Sequence, residues 1–209
     1  MRPCQWKLNS SNRGVNRLKL AAWVALILLV LDQSSKLWVA TQMAPGESYE
    51  VLGRYFQIFY IENNGMAFGL EWGGRTGKFL LTMFRLVAVL GLGFYFCRMI
   101  QSRQTTKAGT VAFALIWSGA CGNVVDSLFY GPLFGYETFF YGRVVDMLYF
   151  PLYQGFLPSW IPIWGGEYWE FFRPVFNLAD SAISVGVGMS LLFYKRLFVS
   201  LTDIETSEA

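Results

Sequence analysis

Four apolar stretches of about twenty residues dominate the chain, at positions 18–40, 78–99, 109–130 and 174–194. Runs of that length match the hydrocarbon thickness of a bilayer, so each predicts a membrane-spanning helix. The first is longer than the core of a cleaved signal peptide, ends in no small-residue cleavage motif and carries Asp32 and Lys36. The intervening segments have a different rhythm. Residues 49–68 alternate through YEVLGRYFQIFYIENNGMAF, with Tyr55, Gln57, Phe59 and Ile61 on one face and Phe56, Ile58 and Tyr60 on the other. Period two, bounded by Pro45-Gly46 and Asn64-Gly65, predicts short strands and a small extracytoplasmic sheet. Residues 150–174 hold Trp160, Trp164 and Trp169, but Pro151, Pro158, Pro162 and Gly165-Gly166 break any helix there. Such aromatics favour the membrane–water boundary, so this segment predicts an interfacial loop, placed to act as a lid.

Lysine and arginine set the orientation. Ten lie up to the start of the first stretch, from the end of the second to the third, and after the fourth; five (Arg54, Arg75, Lys78, Arg143 and Arg173) lie in or at the edge of the two other loops. Positive charge stays on the cytoplasmic side. Both termini are therefore expected in the cytoplasm, with residues 1–17 as a poorly ordered arm. Loops 41–77 and 131–173 are expected outside. The expected fold is an α-helical membrane protein, one domain over residues 1–209, with four transmembrane helices, an extracytoplasmic β-sheet and an aromatic periplasmic loop.

Composition narrows the chemistry. Hydrophobic residues make up 54% and charged residues 15% of 209, which excludes an ordinary soluble domain. The chain has no histidine, so Ser-His-Asp and Cys-His catalysis are excluded and most zinc enzymes with them. No metal or other cofactor is expected. The net charge of +3 comes from the cytoplasmic anchors and predicts no nucleic-acid binding. Cys4, Cys97 and Cys121 fall in separate segments and imply no disulfide framework.

Charges within lipid are costly and point to function. Asp32, Lys36, Arg85, Asp126 and Asp180 all fall within roughly 12 Å of the outer boundary at 1.5 Å per helical residue. Asp146 reaches the same layer from a loop. Asp32 and Lys36 are four residues apart and share a helix face, as an ion pair would. Arg85 suits either snorkelling to headgroups or pairing inside the bundle. Asn123 precedes Asp126 by three residues and Asn177 precedes Asp180 by three, so each amide can orient a carboxylate one turn away. Two carboxylates at close range share a proton: the ionised one can activate water while the protonated one polarises a carbonyl. An ion-coupled carrier and a non-enzymatic assembly factor with aspartates as interhelical glue are the competing readings.

Five motifs in chain order then add a resemblance. Asp32-Gln-Ser-Ser-Lys36, Asn63-Asn-Gly65-Met-Ala67-Phe68, Gly119-Ala-Cys-Gly122-Asn123-Val-Val-Asp126, Val144-Val-Asp146 and Phe176-Asn177-Leu-Ala179-Asp180 resemble those of the lipoprotein signal peptidases, signal peptidase II. The resemblance implies an aspartic endopeptidase of the bacterial inner membrane, cutting prolipoproteins before the diacylglyceryl-modified cysteine. It implies Asp146 and Asp180 as the catalytic dyad, supported by Asn123, Asp126, Asn177 and Ala179. Asn63, Gly65, Ala67 and Phe68 would border the substrate groove, and Asp32, Lys36, Gly119 and Gly122 would be structural. The outer sheet would be that family's β-cradle. Membrane lipids and globomycin-type cyclic peptides are the other implied partners. The chain departs from the pattern in three places. Ser127 stands where the family usually has arginine, with Arg143 as the candidate substitute beside the substrate. Ser118 replaces a glycine, and the 34-residue separation of Asp146 and Asp180 is long because of the aromatic loop.

Overall fold

The computed structural model describes residues 4–65, 73–102, 105–151, 153–171 and 174–197. Five helices are seen there: α1 (Cys4–Gln42), α2 (Gly74–Gln101), α3 (Lys107–Phe134), α4 (Leu178–Leu192) and α5 (Tyr194–Leu197). Three helical stretches are long and apolar enough to cross a membrane: residues 14–42 of α1, all of α2 and all of α3. The first helix starts well before the expected span. Residues 4–17 continue it as helix instead of forming an irregular arm, since they contain no proline and a single glycine.

The fourth stretch is the main departure. Of expected residues 174–194, Val175–Phe176 form a strand, Asn177 caps the helix, and α4 covers 15 residues. The Asn177 side chain accepts the Asp180 N–H, so helix begins only after it. At 1.5 Å per residue α4 is about 22 Å long, short of the roughly 30 Å hydrocarbon core.

Burial within the bundle is uneven. Half of the most apolar window of α3 is buried, against 11% for α1 and 17% for α2. α3 is thus the inner helix, and α1, α2 and α4 pack on it. Large apolar side chains instead face outward, including Trp23, Ile27 and Val30 on α1 and Phe84, Val87 and Phe94 on α2. That inversion suits helices whose solvent is lipid. The α3–α4 contact is made by small residues, which let backbones approach without a hydrophobic drive. A Cβ on Gly119 would collide with the Ala179 carbonyl, and one on Gly186 would lie 2.6 Å from the Ala112 oxygen.

Outside the bundle, β1 (Ser48–Glu50), β2 (Gln57–Asn63), β3 (Val144–Tyr149) and β6 (Val175–Phe176) form an antiparallel sheet in the order β1-β2-β3-β6. The alternating segment does form strands, but the second loop supplies β3 and the start of the expected fourth span supplies β6. The register shifts between Ile58 and Ile61, which breaks strict alternation and buries Tyr60. Tyr60, Val145 and Met147 pack with Val39, Met43 and Tyr130, seating the sheet on α1 and α3. The aromatic segment contains a hairpin, β4 (Tyr153–Phe156) and β5 (Tyr168–Phe171), with Phe156 opposite Tyr168 and Gly155 opposite Trp169. Trp160 and Ile163, between the strands, are strongly exposed.

Two glycines of α4 test the packing. Gly186→Ala should destabilise the protein by about 1–3 kcal/mol through overpacking against α3. Gly188→Ala, where a Cβ meets nothing within 4 Å, should not. Thermal unfolding in detergent separates the two, and equal midpoints would contradict the close α3–α4 contact.

Candidate active site

The polar layer is built around one ammonium. Lys36 Nζ lies 2.9 Å from Asp32 Oδ2 and 2.7 Å from Asp126 Oδ2, and all three side chains are buried. The expected Asp32–Lys36 pair is therefore a triad, with Asp126 brought in from α3. Gln33 completes it: its amide donates to Asp126 Oδ1 at 2.9 Å and to Asp32 Oδ2 at 3.1 Å, while its oxygen accepts from Tyr130 Oη at 3.2 Å. Asp32 Oδ1 also accepts the Ala179 N–H at 3.0 Å, which ties α4 to α1. Gly122 makes room for this contact, since a Cβ there would meet Asp32 Oδ2 at 2.5 Å.

Lys36 also donates to Asn123 Oδ1 at 3.1 Å. That contact fixes which way the Asn123 amide points, so Nδ2 donates to Asp180 Oδ1 at 2.8 Å. Asn177 is the second bridge. Its Oδ1 accepts the Asp180 N–H at 2.9 Å and its Nδ2 donates to Asp146 Oδ1 at 2.7 Å. Asp146 thus stands on β3 and Asp180 in the first turn of α4, with one buried asparagine bonded to both residues. The first turn of α4 suits an anion, because free N–H groups point there.

Asp146 is buried, and its carboxyl is pushed up to about 7. Burial is the main cause and the nearby Asp180 charge the second; hydrogen bonds from Asn177 and Asn63 oppose the rise. Its position depends on the segment before β3. Gly142 donates to the Ser127 carbonyl at 2.9 Å, and a Cβ at Gly142 would collide with the Asp126 carbonyl. The chain can therefore run flush against α3 into Val144–Tyr149.

The second oxygen of Asp146 accepts the Asn63 amide at the end of β2. Asn63 lies opposite Val144 and Ile61 opposite Asp146 in the β2–β3 ladder. Gly65 follows with φ 91°, a left-handed conformation that glycine tolerates. Ala67 and Phe68 lie outside the described residues.

Arg143 is not beside Ser127. Its guanidinium pairs with Glu62 at 2.9 Å and stacks over the Tyr136 ring at 5.0 Å, on the outer surface. Glu62 faces Val145, next along β3, and captures the charge. The guanidinium near Ser127 belongs to Arg85, whose Nη1 lies 3.4 Å from Ser127 Oγ. Arg85 therefore takes the in-bundle option of the two that the sequence left open. Gln33, Glu62 and Lys78 are neighbours of the site that the motifs do not assign to it. Gln33 carried a signal, since it sits inside the Asp32-to-Lys36 motif and faces inward with it. Among the described residues, no three His, Cys, Asp or Glu side chains are placed to hold a metal ion.

Lys36→Ala would leave two buried carboxylates without their cation. It should cost about 3–5 kcal/mol, the range for breaking a buried pair. Adding Asp126→Asn to that variant should recover part of the loss. Chemical denaturation checks both, and a wild-type-like midpoint for Lys36→Ala would contradict the triad.

Comparisons with known proteins agree with the motif resemblance. The family described as Signal peptidase (SPase) II matches residues 24–197. A lipoprotein signal peptidase of Porphyromonas gingivalis is 44% identical over 200 residues, covering 88% of this chain and 87% of the relative. One from Amoebophilus asiaticus is 40% identical over 177 residues, covering 81% and 75%. A bacterial membrane enzyme solved by the in meso method at 2.3 Å superposes with a TM-score of 0.56 at 29% identity, covering 84% of this chain and 87% of that one. A second such structure, at 1.9 Å, gives 0.55 at 29% identity, covering 83% and 91%. With a family match across most of its length and relatives above 30% identity, the chain belongs to the signal peptidase II family.

Proposed function

We propose that this protein is an aspartic endopeptidase that cuts prolipoproteins before the diacylglyceryl-modified cysteine, with Asp146 and Asp180 as its catalytic dyad. Family membership supports the protease activity and the prolipoprotein substrate. The observation that carries the dyad is the Asn177 side chain, bonded at once to the Asp146 carboxylate and the Asp180 N–H. It holds two acidic residues from separate elements in a fixed relation. The raised Asp146 carboxyl supplies the protonated partner that such chemistry needs.

In this mechanism Asp180 takes a proton from water as the oxygen attacks the scissile carbonyl carbon. Asp146 gives its proton to the carbonyl oxygen, and a gem-diol forms. Collapse returns a proton to Asp146, breaks the C–N bond and passes the proton on Asp180 to the departing amine. Asn123 and Asn177 hold the carboxylates, and the Asp32–Lys36–Asp126 cluster holds Asn123 through Lys36. Asn63, Gly65, Ala67, Phe68 and Arg143 are assigned to the substrate side.

The distribution of Lys and Arg supports a multi-pass inner-membrane protein with both termini cytoplasmic and the site near the outer face. The fourth crossing is assigned to α4 together with its flanks, and the aromatic hairpin to the membrane interface. Globomycin-type cyclic peptides are expected to inhibit.

Asp146→Asn and Asp180→Asn should each lower cleavage of a diacylglyceryl-modified prolipoprotein by about 10³-fold or more, the scale of general acid–base catalysis. Near-wild-type turnover by either folded variant would overturn the dyad. The pH profile carries a sign. Asp146 holds its proton below about pH 7 and loses it above, so kcat/KM should fall on the alkaline side of about pH 7. A rate still rising at pH 9 would assign the proton elsewhere.

A further inference from the structure

α2 carries a polar face towards the site. Lys78, Thr82 and Arg85 are spaced four and then three residues apart and share one side of the helix. Each bonds a main-chain carbonyl of an outer loop. Lys78 Nζ donates to Asn64 O at 3.0 Å, Thr82 Oγ1 to Phe140 O at 2.9 Å, and Arg85 Nη2 to Gly65 O. Lys78 and Thr82 are buried, whereas the neighbouring Phe84 and Val87 are exposed. Arg85 therefore points into the bundle and not along it towards headgroups. Its guanidinium also interacts electrostatically with Asp180, Asp126 and Asp146.

The contact at Gly65 has a consequence for Asp146. The Gly65 N–H donates to Asn63 Oδ1, which leaves Asn63 Nδ2 to donate to Asp146. An asparagine amide has one accepting and one donating end, so whichever group occupies the oxygen decides where the nitrogen points. Arg85 holds the other side of that same glycine, and the fit is close: a Cβ on Gly65 would lie 2.5 Å from Arg85 Nη1.

On the reading above of Asp146 as a dyad member, we propose that Arg85 is a positioning residue: it pins the Asn63–Gly65 turn from α2 and so orients the Asn63 amide that holds Asp146. Among the described residues Arg85 bonds Gly65 and Ser127, and no hydrogen bond or ion pair joins it to Asp146 or Asp180. It acts through the turn, and its loss should be felt as misplacement of the carboxyl.

The test is a double-mutant cycle with Arg85→Met and Asn63→Ala, cleaving a diacylglyceryl-modified prolipoprotein. Arg85→Met should lower kcat by about 100-fold, the scale of a misplacement near 1 Å, with KM little changed. The double variant should be no worse than Asn63→Ala alone, because both act on one contact. Both single variants should shift the alkaline limb to higher pH, since Asn63→Ala removes a donor that favours ionised Asp146 and Arg85→Met releases the turn that aims that donor. Multiplicative losses, or an Arg85→Met kcat within about twofold of wild type, would overturn the proposal.

Hydrogen exchange of residues 60–65 gives a readout independent of catalysis. It should quicken by about tenfold or more in Arg85→Met, as for a segment released to local opening. Unchanged exchange would overturn the proposal even if the peptidase reading holds. If wild type fails to cleave while exchange still quickens, the dyad reading falls and the turn-pinning role stands. Should Arg85→Met not fold, Arg85→Lys serves in both arms. It keeps the charge and loses the fork, so a partial kcat loss and faster exchange are expected, and wild-type values in both would overturn the proposal.

Discussion

The Lys36 ammonium is the interaction on which the site depends. It is buried with two carboxylates, Asp32 and Asp126, and its remaining contact is the Asn123 oxygen. Charges in such surroundings are tolerated only when paired and hydrogen-bonded. Each pairing here also joins elements. Asp126 and Asn123 bring α3 to α1, and Asp32 receives the α4 backbone at Ala179. The cluster thus settles the relative depth of three helices, and Asn123 passes that setting on to Asp180.

A second constraint is closeness. Gly119 and Gly122 let α4 approach α3, and Gly142 lets the strand carrying Asp146 approach it from the other direction. Small residues play different parts in the two places. Between helices they replace the missing hydrophobic drive with backbone contact. Beside α3, Gly142 admits an extended segment and lets a soluble-type sheet be anchored on a membrane bundle. Asp146 and Asp180 are thereby held on unlike elements, a strand and a helix terminus, with Asn177 between them. Rigid elements suit acid–base chemistry, which depends on small distances.

The bundle was largely legible in the chain. Long apolar runs announce α1, α2 and α3, and alternation in residues 57–63 announces β2. Legibility failed where a local pattern was overruled. Residues 174–177 look apolar enough to belong to a span, yet strand pairing of Val175 and Phe176 with β3 and capping by Asn177 claim them. The run at 144–149 carries a motif but is too short to announce its element, and its place between β2 and β6 comes from partners distant in sequence. The candidate site residues stand out through their motifs. Their partners stand out less, because Arg143 is near Asp146 in sequence while Glu62 is near it in space.

By itself, then, the sequence determined that this is a membrane protein with charged residues set within its apolar stretches, without histidine, and with motifs that resemble one family. Period, length and residue type are local properties, and local properties survive in a one-dimensional reading. Tertiary structure alone decided which groups meet. It decided that Lys36 serves Asp126 as well as Asp32, that Asn177 is bonded to both acidic residues of the candidate dyad, and that Arg85 rather than Arg143 lies beside Ser127. The reason is that hydrogen bonds and ion pairs act over about 3 Å. Which atoms come that close depends on how helices and strands far apart in the chain are packed.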